Sequence, residues 1–298
     1  MADQGPSWDL VADVQMLLQF HFMQNALLAG TIVAAMAGAV GYFIVLRGQS
    51  FAAHTLSQVG FPGAAAGVLL HTSPLFGLLV FCTASALGIG LAGRGLDAGR
   101  RSEAAVVGTI LAFSLGLGLL FFRLYAGSAQ GIYGFLFGTI LGISDGAALA
   151  TALLAGVSLV VLAAIARPLL FASIDPDVAQ ARGVPVRGLS IAFLVLVALA
   201  VAQAVQIVGT LLTFALLVAP AAAARQLTSR PWLGLSLSVL LSLAYTWAGL
   251  AVAYFSIYPV GFFITSFAFA TYLAVRLARA ALGGRRPSAA RRPAARPA

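Results

Sequence analysis

Three polar side chains share one helical register in the densest polar group of an otherwise apolar chain. In the run Arg47-Gly-Gln-Ser-Phe-Ala-Ala-His54-Thr-Leu-Ser57-Gln58-Val-Gly-Phe-Pro62-Gly63, His54 and Gln58 are four apart, and Ser57 is three from His54. On a helix that spacing puts them on the same face. A neutral imidazole and an amide can both contact a cation, and left unpaired in hydrocarbon each would cost several kcal/mol. The face therefore lines a pore or a helix interface. Two readings stay open: a transport path, or interhelical hydrogen bonding that only holds helices together. Of the other two histidines, His71 reads as an exterior loop residue and His21 as an interfacial one.

A second polar stretch, Ser173-Ile-Asp175-Pro-Asp177-Val-Ala179-Gln-Ala-Arg182-Gly183-Val-Pro185-Val-Arg187, carries helix punctuation. Asp175 can cap a helix whose first turn begins with Pro, and Gly183 stands where a short helix would end in a left-handed residue. Six or seven helical residues are marginal alone, so such a helix is expected to dock against something.

The rest of the chain must hold these groups in a membrane. Of 298 residues, 61% are hydrophobic and 8% are charged, against about 25% charged in a soluble domain. Too few charges remain to cover a water-facing surface, so lipid is the solvent for most of the chain. All seventeen basic residues are arginine. Without lysine there is no Walker A phosphate loop, protein-kinase site or Schiff-base chemistry. One cysteine, Cys82, excludes an intrachain disulfide and thiolate zinc sites. The net charge of +9 resembles a nucleic-acid signal, yet Arg285, Arg286, Arg291, Arg292 and Arg296 sit in the last fourteen residues. No nucleic-acid partner is expected.

Apolar runs extend over about 22–46, 51–70, 75–92, 104–122, 147–166, two short spans within 189–224 that bend near Gly209, 233–255 and 260–277. The segment 131–143 is too short to cross, since thirteen helical residues reach only about 20 Å. Arg94, Arg100 and Arg101 mark the loop before the fourth run as cytoplasmic. Keeping Arg167, Arg182 and Arg187 on that same side requires segment 131–143 to re-enter rather than cross. The reading is an all-α, polytopic helical bundle with eight to nine crossings plus one re-entrant segment. Residues 1–281 would form the membrane domain, with an interfacial helix over Trp8–Phe22 and a cytoplasmic loop over 172–188. Residues 282–298 read as a disordered Arg-, Pro- and Ala-rich cytoplasmic tail attracted to anionic lipid. Gln203 and Gln206 are expected at the far water interface, beside the Gly209 bend.

Four ordered motifs resemble the membrane-spanning permease of the zinc, manganese and iron ABC importer family. They are GAVGYFIVLRGQSFAAHTLSQVGFPGAAAG (38–67), GFLFGTILGIS (134–144), IDPDVAQARGVPV (174–186) and VGTLLTFALLVAPAAAARQL (208–227). The resemblance covers nearly the whole chain and implies a type II ABC importer-like fold in the plasma membrane. It implies two permease copies around the pathway, separate ATP-binding cassette ATPase subunits that use the ATP, and an extracytoplasmic metal-binding protein. No cofactor would be bound by this chain. Carried over residue by residue, Asp175, Asp177, Ala179 and Gly183 become the helix that couples to the ATPase, and His54 and Gln58 become the metal path.

One departure stands out. The family pattern has Asp followed four residues later by His, where this chain has His54 and Gln58. Loss of the carboxylate should weaken cation binding and shift preference from manganese towards zinc or copper, or away from metals. The resemblance implies import of a divalent transition metal, zinc or manganese. An ABC permease for a non-metal solute and a secondary ion-coupled transporter remain as alternatives.

Overall fold

The protein is described by a computed structural model covering residues 19–92, 100–124, 134, 136, 138, 140–256 and 258–283. Every regular element among them is helical. The helices are α1 (His21–Arg47), α2 (Ser50–Leu69), α3 (Pro74–Ala92), α4 (Arg100–Leu124), α5 (Asp145–Ile174), α6 (Pro176–Ala181), α7 (Val186–Val208), α8 (Thr210–Leu227), α9 (Pro231–Tyr254) and α10 (Val260–Gly283), with a short 3-10 turn at Ile140–Gly142. The Trp8–Phe22 interfacial helix falls mostly outside the described residues, as do most of segment 131–143 and the tail 282–298.

Among the described residues, seven helices are long and apolar enough to cross a membrane: α1, α3, α4, α5, α7, α9 and α10. This is fewer than the eight to nine crossings expected. Of the other three, α6 is the short loop helix, while α2 and α8 occupy runs read as spans but fall short, each for a local reason. The polar residues Ser50, His54, Thr55, Ser57 and Gln58 dilute α2, and the apolar stretch of α8, Leu212–Leu227, is short.

Burial separates a central pair from a shell. In α1 and α7, 72% of the apolar window is buried within the protein, against 17–33% in the other five spans. The outer helices turn Leu, Val and Phe outward, as at Leu149, Leu153, Val157 and Val160 of α5. In lipid such faces need no further cover. Helix α1 instead approaches α8 and α9 through small residues, because van der Waals packing must replace a hydrophobic driving force. A Cβ added at Gly41 of α1 would lie 1.9 Å from the Leu217 carbonyl oxygen of α8, and one at Gly38 would lie 2.7 Å from the Val239 Cα of α9. Polar cross-links reinforce the α1–α9 contact: Ser238 Oγ donates to the Gly38 carbonyl at 2.7 Å, and Trp247 Nε1 donates to Thr31 Oγ1 at 2.8 Å. Gly38 pairs with residue 238 and Thr31 with residue 247, so the two helices run antiparallel.

The two ends of the bundle are identified by their contacts. At one end, His21 Nε2 lies 3.0 Å from Asp145 Oδ1, and Asn25 Nδ2 donates to the same oxygen, so α1 and α5 start on one side. At the other, Arg47 reaches Ser173 and Ser190, and Arg225 Nη1 donates to the Val45 carbonyl at 2.9 Å. The positive-inside rule makes the arginine-bearing end the cytoplasmic one. There the carbonyl end of α1 meets two guanidinium groups, the favourable sign for a helix C-terminus.

Replacing Gly41 by Ala drives a methyl group into the α8 backbone. It is expected to cost about 1–3 kcal/mol, read as a lower thermal midpoint of the purified protein in detergent. Gly116→Ala on α4, where an added Cβ meets nothing within 4 Å, should leave the midpoint where it is.

Candidate functional site

The polar face of α2 is set by which of its positions the bundle leaves uncovered. Thirteen of its twenty residues are buried, packed against α3, α4, α7 and α8. His54, Gln58 and Phe61 are half-buried and Phe51 is exposed. These four recur at three- and four-residue intervals and define one edge of the helix. His54 and Gln58 therefore share a face that the rest of the chain does not close. Ser57 turns elsewhere: it is fully buried, and its hydroxyl donates to the His54 carbonyl at 2.7 Å. The expected three-residue stripe thus reduces to a pair.

The His54 ring stands edge-on to Phe214 of α8, with centroids 5.0 Å apart. Its Nδ1 is buried and accepts or donates no hydrogen bond. A buried polar atom without a partner costs roughly 1–3 kcal/mol, so the arrangement reserves a nitrogen for something the chain does not supply. Phe214 was not singled out in the sequence. It lies inside the VGTLLTFALL block, but nothing in that block says which face meets α2. Thr210 and Thr55, both fully buried, also have hydroxyls without partners. Among the described residues no three His, Cys, Asp or Glu side chains gather as a metal cage. Any ion held here on the two candidate residues would be held loosely, as transit requires.

Gln203 corrects an expectation. It is fully buried rather than at a water interface, and its Nε2 donates to the Leu199 carbonyl at 3.0 Å and to Ser158 Oγ at 3.4 Å. The reason is that α7 is enclosed from Phe193 to its end at Val208, so nearness to that end does not bring exposure. The bend itself is where the sequence placed it, with α7 ending at Val208, α8 beginning at Thr210, and Gly209 between them at φ +88°. Gly138 of the segment before α5 packs on that bend, since a Cβ there would lie 2.4 Å from the Val208 carbonyl carbon.

The cytoplasmic loop folds as its punctuation dictates. Asp175 Oδ1 accepts from the Val178 amide at 3.0 Å, and Pro176 opens α6. At the other end Gly183 sits at φ +82°, with Gly183 N bonded to the Gln180 carbonyl and Val184 N to the Ala179 carbonyl, each at 3.0 Å. These two bonds form a Schellman stop, which a residue with a Cβ would strain. Ala179 is fully buried and anchors α6 to the bundle, while Asp175, Asp177, Val178 and Gln180 face outward. Ile174 and Val178 are 65% and 44% exposed. At thirty residues α5 is about 45 Å long, longer than a ~30 Å hydrocarbon core. Its last turns can thus carry α6 clear of the lipid.

The polar face of α2, the bend at Gly209 and the capped loop between α5 and α7 are the features the sequence motifs pointed to. A model of the ABC 3 transport family matches residues 19–279. The chain belongs to that family. Among relatives of this ABC 3 protein, the manganese import system permease protein ScaB of Streptococcus parasanguinis is 35% identical over 239 residues, 80% of this chain and 84% of that one. The manganese transport system membrane protein MntC of Listeria monocytogenes is 30% identical over 214 residues, 72% of this chain and 75% of that one. The solved structure of PsaBC from Streptococcus pneumoniae in complex with Fab aligns with a TM-score of 0.79 at 29% identity, covering 89% of this chain and 95% of the matched chain. This ABC 3 chain is a multi-pass permease of the plasma membrane.

Removing the Asp175 carboxylate should loosen α6. Asp175→Ala is expected to cost about 1 kcal/mol locally, and hydrogen exchange of the 178–184 amides should quicken about fivefold. Asp177→Ala, which removes no capping bond, should leave exchange unchanged.

Proposed function

We propose that this permease moves a divalent transition-metal ion, manganese or zinc, into the cell, as one of two permease copies driven by a separate ATPase. The observation that carries the reading is the uncovered His54–Gln58 edge of α2, with a buried imidazole nitrogen left unpartnered, in a chain whose relatives are named manganese permeases. A second copy laid on this edge would place two His54–Gln58 pairs across a shared path. Four weak nitrogen and oxygen donors could then contact a passing ion that one copy alone would not retain.

The energy source in this reading is another chain. With no lysine, the sequence has no Walker A loop, so ATP is used by the partner subunit and this chain binds no cofactor. The α6 surface, with Ile174 and Val178 exposed beside Asp175 and Asp177, suits a groove on that ATPase. Ion delivery would fall to an extracytoplasmic metal-binding protein. A secondary transporter is disfavoured by where the carboxylates stand. Asp145 begins α5 and pairs with His21, while Asp175 and Asp177 lie on the cytoplasmic loop, leaving none of these three at mid-membrane depth to carry protons or sodium.

In membrane vesicles holding permease, ATPase and binding protein, His54→Ala with Gln58→Ala should lower ATP-dependent manganese or zinc uptake at least tenfold. Uptake at the wild-type rate would remove these residues from the path, and uptake that persists without the ATPase would favour a secondary transporter. The converse change, His54→Asp with Gln58→His, restores the family pair and adds a hard oxygen. It should lower the half-saturating manganese concentration about tenfold, equivalent to about 1.4 kcal/mol, and favour manganese over zinc in competition.

A further inference from the structure

The cytoplasmic end of α1 holds one side chain that touches both flanks of the α6 loop and the start of the pathway helix. Arg47 is the last residue of α1 and is half-buried. Its Nη2 donates to Ser190 Oγ at 2.6 Å and its Nη1 to Ser173 Oγ at 3.2 Å. Ser173 lies on the last turn of α5, three residues before α6 begins. Ser190 lies on the first turns of α7, beyond the loop. Each serine hydroxyl gives its proton to its own helix, Ser173 to the Leu169 carbonyl and Ser190 to the Val186 carbonyl at 2.9 Å. Both oxygens are thus left to accept from the guanidinium. The guanidinium carbon of Arg47 also sits 5.6 Å from the centroid of the Phe193 ring on α7, a cation–π contact.

The third donor points along the chain. Arg47 Nε donates to Gln49 Oε1 at 3.3 Å, and the Gln49 carbonyl accepts the Ala53 amide at 3.1 Å as α2 begins. His54 is the next residue. Between the two helices only Gly48, at φ +69°, and Gln49 intervene. Gly48 N and Gln49 N close α1 on the Val45 and Ile44 carbonyls, so the connection is short and hydrogen-bonded rather than slack.

We propose that Arg47 is the positioning residue through which movement of the α6 loop reaches the His54–Gln58 edge, an inference that rests on the transport reading above. When the loop shifts, Ser173 and Ser190 move with the ends of α5 and α7. The guanidinium passes that displacement to Gln49 and the first turn of α2. The role depends on the planar fork of arginine, because two serines on two helices and an amide on a third segment are met by nitrogens in fixed relative positions. A lysine ammonium would keep the charge at the α1 C-terminus but not this geometry. A contiguous chain of contacts becomes a coupling path only if cutting it uncouples the two ends.

The test compares wild type, Arg47→Ala, Arg47→Lys and the double variant Ser173→Ala/Ser190→Ala. Each is reconstituted with ATPase and binding protein in proteoliposomes, and manganese or zinc imported per ATP hydrolysed is measured. ATP hydrolysis should stay within about twofold of wild type in every variant. The metal-to-ATP ratio should fall about tenfold in Arg47→Ala and Arg47→Lys, and about threefold to fivefold in the double serine variant. A ratio restored by lysine would reduce Arg47 to a charge at a helix end and overturn the proposal. A wild-type ratio in the double serine variant would overturn it too, and that variant decides the matter if Arg47→Ala does not assemble. A second measurement needs no transport: hydrogen exchange of the α2 amides 51–56 in the permease alone should quicken about fivefold in the double serine variant, and unchanged exchange would defeat the link. If the wild-type complex imports no metal while this exchange effect holds, the transport reading fails and the mechanical link stands.

Discussion

A hydrocarbon solvent offers no hydrogen bonds, and most of what this chain does with its few polar residues follows from that. Backbone groups are satisfied within helices. Many hydroxyls at depth turn back onto their own helix, as Thr151, Ser158 and Thr213 do with carbonyls four residues earlier. Others cross to a neighbour, as Ser238 does to Gly38. Once those needs are met, a buried atom without a partner stands out, and the Nδ1 of His54 is one. The same solvent removes the hydrophobic driving force between helices, so α1 is held by close approach of small residues such as Gly38 and Gly41 as well as by buried Met23, Met36, Phe43 and Ile44. The central position of α1 is a consequence, and through it the two ends of the molecule are linked.

Those ends are built differently. At the outer end, α1 and α5 are joined through exposed side chains, with His21 and Asp145 each 73% accessible to water, where such a pair is worth little. At the cytoplasmic end the contacts draw on charge. Arg47 reaches three segments through partly buried bonds, and Arg225, more exposed, caps the Val45 carbonyl of α1. The half-buried junction at Arg47 lies next to the capped loop between α5 and α7.

Much of the local structure was legible. The cap at Asp175, the stop at Gly183 and the bend at Gly209 each depend on residues within a turn of one another, so spacing alone could place them. The apolar runs located nearly every helix to within a few residues for the same reason. Gln203 was misplaced, because its burial is decided by which helices surround α7 and not by its distance from the end of that helix. Among the described residues, seven helices reach the length and hydropathy of a span, fewer than the runs read from the sequence, because polar residues dilute α2 and the apolar stretch of α8 is short, although α8 runs from the Gly209 bend to Arg225 at the cytoplasmic end.

The sequence by itself determined that the chain lives in lipid, that it lacks the lysine for its own ATP chemistry, where its helices start and stop, and that His54 and Gln58 share a face. Those properties rest on composition and on contacts between near neighbours. Only the tertiary structure decided that this face stays uncovered while the rest of α2 is enclosed, that Phe214 stands against His54, and that Arg47 meets Ser173 and Ser190 across more than a hundred residues of chain. Such contacts join positions far apart in sequence. No periodicity encodes them, and they exist only once the packing of α1, α5 and α7 has fixed which helix ends lie side by side.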